Sequence, residues 1–182
     1  MAGAQKKAVI KIQHADFYKP EPALKRNKLI GNVKLTQNNM VMSCDSLYQY
    51  SDSNYVEAFG HVHAIQNDSL HLWGDYMIYD GNSQLAKVRK HVVMQDPTIT
   101  LTTDFLDYDA QDRIGYYFNS GMLKDSINTL ISDMGYYYTT THDMFFKDSV
   151  KVYTPDYTMH SDTLIYNTDS KIIRIIGPTT IY

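Results

Sequence analysis

Apolar residues alternate with polar ones along this chain, as in Val33 and Leu35 or Met40 and Met42. A side-chain period of two is that of a β-strand, and the i, i+3, i+4, i+7 spacing of a helix is missing. Tyr, Thr, Val and Ile are abundant, as strands prefer. Turn-forming clusters interrupt the alternation at regular intervals. One set includes Gln37-Asn38-Asn39, Gln66-Asn67-Asp68, Gln95-Asp96-Pro97 and Lys124-Asp125-Ser126. The other includes Ser51 to Asn54, Asp80 to Ser83, Asp109 to Asp112 and Asn167 to Ser170. Such residues tolerate tight turns. The pattern predicts strands of about ten residues in antiparallel succession.

A longer period overlies the short one. Asp16, Asp45, Asp75, Asp104, Asp133 and Asp162 stand 29, 30, 29, 29 and 29 residues apart. Ten residues before the aspartates stand Leu35, Ile65, Met94, Leu123 and Val152. Three before stand Met42, Leu72, Leu101, Leu130 and Met159. Four after stand Tyr79, Tyr108, Tyr137 and Tyr166, with Gln49 in the first repeat. Thirteen after stand Ala58, Val88, Tyr117, Phe146 and Ile175. A fixed period of this size marks units stacked one on the next.

Apolar residues take odd positions before each aspartate and even positions after it. The change of phase predicts a bend or bulge at the aspartate that keeps one side facing inward. A second break is predicted near Gly60, Lys90, Asn119 to Gly121, Asp148 and Gly177. Each repeat is therefore two bent strands, and the stack is two facing sheets with an apolar lining. The lining is expected from Val33, Leu35, Met42, Leu47, Leu72, Met77, Met94, Leu101, Leu106, Leu130, Val152, Met159 and Leu164. Met40, Met42, Met77, Met94, Met122 and Met159 would make it soft. The six aspartates are expected to hydrogen-bond backbone at the corners, and the 30-residue gap implies a bulge between Gly60 and Ile65.

Composition narrows the function. The chain has 182 residues and a net charge of −3. Its Lys and Arg are scattered, which excludes a nucleic-acid interface. No apolar run reaches the ~20 residues of a membrane helix. The lone Cys44 allows no internal disulfide. Residues 1–8 are expected to be a disordered remnant, with Ala2-Gly3-Ala4 similar to the end of a signal-peptidase site. Residues 9–182 are expected to form one repeat domain, cut mid-repeat at its C-terminus.

The consensus Gly-x-Val-x-Leu (31–35), then a small residue and Asp as in Ser-Cys-Asp (43–45) or His-Ser-Asp (160–162), then alternation ending in Tyr, resembles the OstA-like family. These are the periplasmic lipopolysaccharide-transport proteins of the LptA, LptC and LptD group. The resemblance spans about Val9 to Tyr182. It implies an all-β, open antiparallel β-jellyroll, or β-taco, whose trough shelters lipid A acyl chains. It implies no catalytic residues, no cofactor, and a place in a bridge between inner and outer membranes. Partners would be lipopolysaccharide, and copies of the chain or related proteins joined head to tail through edge strands. Physics agrees with the role. A buried CH₂ contributes about 0.8 kcal/mol, so a fourteen-carbon chain left in water costs on the order of 10 kcal/mol.

Other readings are weaker. His61, His63 and His71 form one metal-like cluster, but an inferred pairing of His63 with Leu72 puts His71 on the opposite face. The aspartates are too sparse for calcium-binding repeats. Tyr136-Tyr137-Tyr138 could be a carbohydrate platform or an ordinary strand. The main alternative to a carrier is a non-catalytic structural β-solenoid or adhesin-like module with a filled core.

Overall fold

The computed structural model describes residues 7–182. The expected N-terminal remnant lies mostly outside these. The chain runs as β1 (Lys11–His14), β2 (Phe17–Glu21), β3 (Arg26–Gln37), β4 (Met40–Tyr50), β5 (Tyr55–Gln66), β6 (Leu70–Asp80), β7 (Leu85–Gln95) and β8 (Thr100–Asp109). It continues as β9 (Ile114–Tyr117), β10 (Gly121–Lys124), β11 (Thr129–Ser132), β12 (Met134–Tyr138), β13 (Asp143–Tyr153), β14 (Thr158–Asn167), β15 (Ile173–Ile175) and β16 (Thr179–Ile181). All pair antiparallel in one 16-stranded sheet. Segment pairs such as β1 and β2, or β9 and β10, are halves of one bent strand, so the stack holds twelve bent strands where about eleven were expected. The predicted two sheets are one sheet folded along its midline.

The fold line is built the same way in each repeat. In β3, β5, β7 and β13, and between β9 and β10, two consecutive residues take left-handed backbone: Gly31-Asn32, Gly60-His61, Lys90-His91, Asp148-Ser149 and Asn119-Ser120. Opposite them the next strand carries the repeat aspartate, and the ladder skips there. These are bulges that turn a corner and keep one face inward. Glycine fits Gly31 and Gly60, where φ is +80° and +75° and an added Cβ would lie 2.4 Å from the Oδ2 of Asp16 and of Asp45. Asn119 and Asp148 are next best, because short polar side chains tolerate this region.

The two halves of the folded sheet form facing walls. One carries Val33, Leu35, Met42, Leu72, Met94, Leu101, Leu130, Val152 and Met159. The other carries Leu47, Met77, Leu106 and Leu164. They touch: a Cβ on Gly115 of β9 would lie 3.1 Å from the Met94 Sδ across the interior. All these side chains belong to one buried core.

The 30-residue gap corrects the register. Its extra residue lies in a three-residue turn, Asn67-Asp68-Ser69, where β3 and β4 are joined by Asn38-Asn39 alone. The expected bulge between Gly60 and Ile65 is only the ordinary corner. Ala64 therefore points inward, and Ile65 outward on the outer face with His71 as its partner. His63 pairs with Trp73, not Leu72, so His71 shares its face. Met122 also faces outward, between Thr102 and Ile131.

Candidate functional site: an apolar interior closed at its mouth

All thirteen expected lining residues are buried, with exposures from 0% to 4%. Val88, Leu123 and Phe146, apolar repeat positions outside the expected lining set, are equally buried, as are Val56, Val62, Val92 and Met144, which the sequence reading did not single out. The interior is closed rather than an open trough. It holds a small apolar cavity of about 10 Å³, lined by residues including Ala64, Leu72, Met77, Ala86 and Ala110.

The edge opposite the corners explains the closure. There the turns of the two walls meet, and the repeat tyrosines bridge them. Tyr79 donates its hydroxyl to Gln37 Oε1 at 2.5 Å. Tyr108 donates to Gln66, Tyr137 to Asp96 and Tyr166 to Asp125. Each partner stands 42, 42, 41 or 41 residues earlier, in the first turn of an earlier repeat. The phenol ends are thus bonded across the mouth. Burial pushes the Tyr108 phenol up to about 12, with the nearby Arg113 charge among the influences pulling it back. The amides are held in turn: Gln37 Nε2 donates to the Ala8 and Gly81 carbonyls, and Gln66 Nε2 to the Ala110 carbonyl. Gln49, standing where the first repeat lacks Tyr, takes a side-chain bond from Asn27.

The latches differ along the stack. The first two are phenol to amide and the last two phenol to carboxylate. Asp96 also accepts from Thr98 and the Ile99 N–H, and Tyr137 lies 3.2 Å from His142 Nδ1. The Asp125 side chain is buried and accepts from Lys171 at 2.9 Å. Burial raises its carboxyl, but bonds from Tyr166, the Ile127 and Asn128 N–H groups and Lys171 outweigh this and hold it below the usual range.

Packing beneath the latches differs too. At equivalent inward positions stand Ala58, Val88, Tyr117 and Phe146, all at 0% exposure. The Tyr117 ring fills the space left by two glycines: a Cβ on Gly121 would lie 2.5 Å from it, and one on Gly135 2.6 Å. Its hydroxyl pairs with Ser132 Oγ at 2.5 Å.

The corner aspartates are exposed, and most bond side chains rather than backbone. Asn32, His61 and His91 reach Asp16, Asp45 and Asp75, each 16 residues earlier, at 2.9, 2.7 and 2.7 Å. Asp104 takes the backbone N–H of His91 at 3.0 Å. The partner aspartate raises the titration point of both His61 and His91. On the outer face His63, His71 and Trp73 stack, with His63 Nε2 3.0 Å from His71 Nδ1. Among the described residues no group of three His, Cys, Asp or Glu could hold a metal ion. Of the tyrosine triplet, Tyr137 is a buried latch and Tyr136 stacks on Tyr116 at 4.6 Å.

A repeat fold of this form can be matched to known proteins. The model of the OstA-like protein family matches residues 6–162. The chain belongs to the OstA-like family. Among solved structures, this OstA-like chain is similar to LptH of Pseudomonas aeruginosa, described as the LptA-homologous periplasmic component of the conserved lipopolysaccharide transport device. The TM-score is 0.57 at 14% identity, over 62% of this chain and 93% of that one. The likeness shows the shared β-jellyroll fold. No curated protein matches.

Proposed function

We propose that this OstA-like chain is a non-catalytic periplasmic component of lipopolysaccharide transport that shields lipid A acyl chains between its two walls. The observation that carries this is the interior: one continuous apolar core between walls joined covalently only at the corners, with a mouth held by side-chain bonds. Each latch contributes on the order of 1–2 kcal/mol. An acyl chain of ~14 carbons recovers several times that on burial, so entering lipid can outcompete the latches. The family membership and the fold shared with LptH support the reading.

Assembly follows from the edges. The terminal edge, β15 and β16, exposes Ile175 and Ile181 at 49% and 57%. Such an edge accepts a further strand, so neighbours of the same fold, or copies of this chain, extend the stack and align their interiors. The other edge is less open, because β2 contains Pro20, which has no N–H to donate.

Photocrosslinking tests the carrier reading. A photoreactive residue at Leu101 should label lipid A, and Leu101→Asp should abolish binding at other lining positions, since an unpaired buried carboxylate costs several kcal/mol. Undiminished crosslinking in a folded Leu101→Asp protein would sink it. A second reading, a scaffold with a permanently filled core, is favoured by the sealed interior and predicts no lipid on the purified protein. For assembly, light scattering over a concentration series should show growth that Ile173→Pro suppresses; strictly monomeric wild type would overturn that part.

A further inference from the structure

The mouth is not uniform, and one place along it combines three features. A small apolar cavity lies beneath the Tyr79 and Tyr108 latches, lined in part by the small side chains of Ala64, Ala86 and Ala110. Above it two solvent-open clefts of about 300 and 250 Å³ lie on either side of Gln66. Gln66 lines the cavity and both clefts, so it is the partition between apolar interior and polar rim. Arg113 lines both clefts and makes no ion pair with the described residues. Its backbone is fixed by Thr139, whose N–H and hydroxyl both donate to the Arg113 carbonyl at 3.1 Å. The carboxylate of the second cleft, Asp96, is engaged by Tyr137 and Thr98, and His142 sits between Tyr137 and Asp169.

We propose that this is a head-group site and tail entrance for an amphiphile with an anionic head. Arg113 takes the phosphate or carboxylate oxygens in a two-pronged charge-assisted bond, and the Asn67 and Gln111 amides beside it donate to the remaining oxygens. The tail passes where Gln66 and Tyr108 part and enters the alanine-lined space. Both latches here are phenol to amide. Breaking them frees neutral groups that an entering head can satisfy. The head sits in the first cleft, whose lining carries no carboxylate; Asp96 of the Tyr137 latch, which lines the second, would repel it there. The site rests on the carrier reading and adds to it the point of entry and the charge of the ligand.

Fluorescence titration of the full chain tests it with 11-(dansylamino)undecanoic acid, its methyl ester, and lipid A as unlabelled competitor. Arg113→Gln should weaken the acid about ten-fold, as loss of a charge-assisted bond of roughly 1.4 kcal/mol implies, and leave the ester within two-fold. Arg113→Lys should restore part of the loss, and Ala86→Leu should weaken acid and ester together by filling the entrance. Equal effects of Arg113→Gln on acid and ester, or none on either, overturn the site. If lipid A still displaces the probe in that case, the carrier reading stands without it. If the acid binds through Arg113 but lipid A does not compete, the site stands and the carrier reading falls. If wild type binds neither probe, both fall.

Discussion

The two ends of this stack use one repeat to different effect. Toward the N-terminus the inward positions hold Ala58, Ala64, Ala86 and Val88, the latches are Tyr to Gln, and the cavity lies there. Toward the C-terminus Tyr117, Phe146 and Tyr166 fill the interior, and the latches are Tyr to Asp. The backbone template is common to both. What differs is how much side-chain volume occupies the gap and how strongly the mouth is tied. The comparison teaches that one repeating frame can be packed with small side chains and tied by neutral bonds at one end, and filled with rings and tied by charged bonds at the other.

The largest effect should come from exchanging core volume. Phe146→Ala should cost about 3–5 kcal/mol in urea unfolding, because a rigid, filled end cannot collapse onto the void. Ala58→Phe should cost about 1–3 kcal/mol by overpacking. If the two costs came out equal, the contrast in packing would lose its meaning. Latches come next. Tyr166→Phe leaves the buried Asp125 with one fewer donor and should cost about 1–3 kcal/mol, against about 1 kcal/mol for Tyr79→Phe. A reversed order in chemical denaturation would break the comparison at the mouth.

Acid should act on the C-terminal end through Asp125. The Asp125 carboxyl is depressed in the folded protein, so its stabilisation is present above the unfolded value near 3.9 and is lost as pH falls below it toward the folded one. The Tm should drop as pH falls below about 4, and Asp125→Asn should flatten that drop. The smallest effect concerns the corners. His61 and His91 have raised titration points, so their contribution is present below about 6.5 and fades as pH rises through the folded values. Both are more than four-fifths exposed, and solvent screens them. His91→Asn should leave the Tm nearly unchanged at pH 6, and a shift of several degrees would show that the corners bear more of the stability.

The fold was legible because it repeats. Six aspartates in phase, a parity change at each, and tyrosines four residues later mark bends and inward faces without long-range information. The lining followed from the same periodicity. The register around His63 did not, because one inserted residue can sit in a bulge or in a turn, and only the pairing of Gln66 with Leu70 decides. The latches were also hidden. Gln37, Gln66, Asp96 and Asp125 look like turn residues, and their partners lie 41 or 42 residues away. The nearly constant offset was the available signal. Arg113 gave none, since a lone exposed cation in a turn resembles any other.

The fold line has a mechanical consequence. Interstrand ladders run within each wall, and the walls meet the corners at left-handed residue pairs. The corners therefore act as the spine of a book, and the mouth can open while each ladder bond within a wall stays intact. Amide hydrogen exchange would see little of such a motion. Side-chain reporters across the pages, such as paired labels at positions 66 and 108, would see nearly all of it.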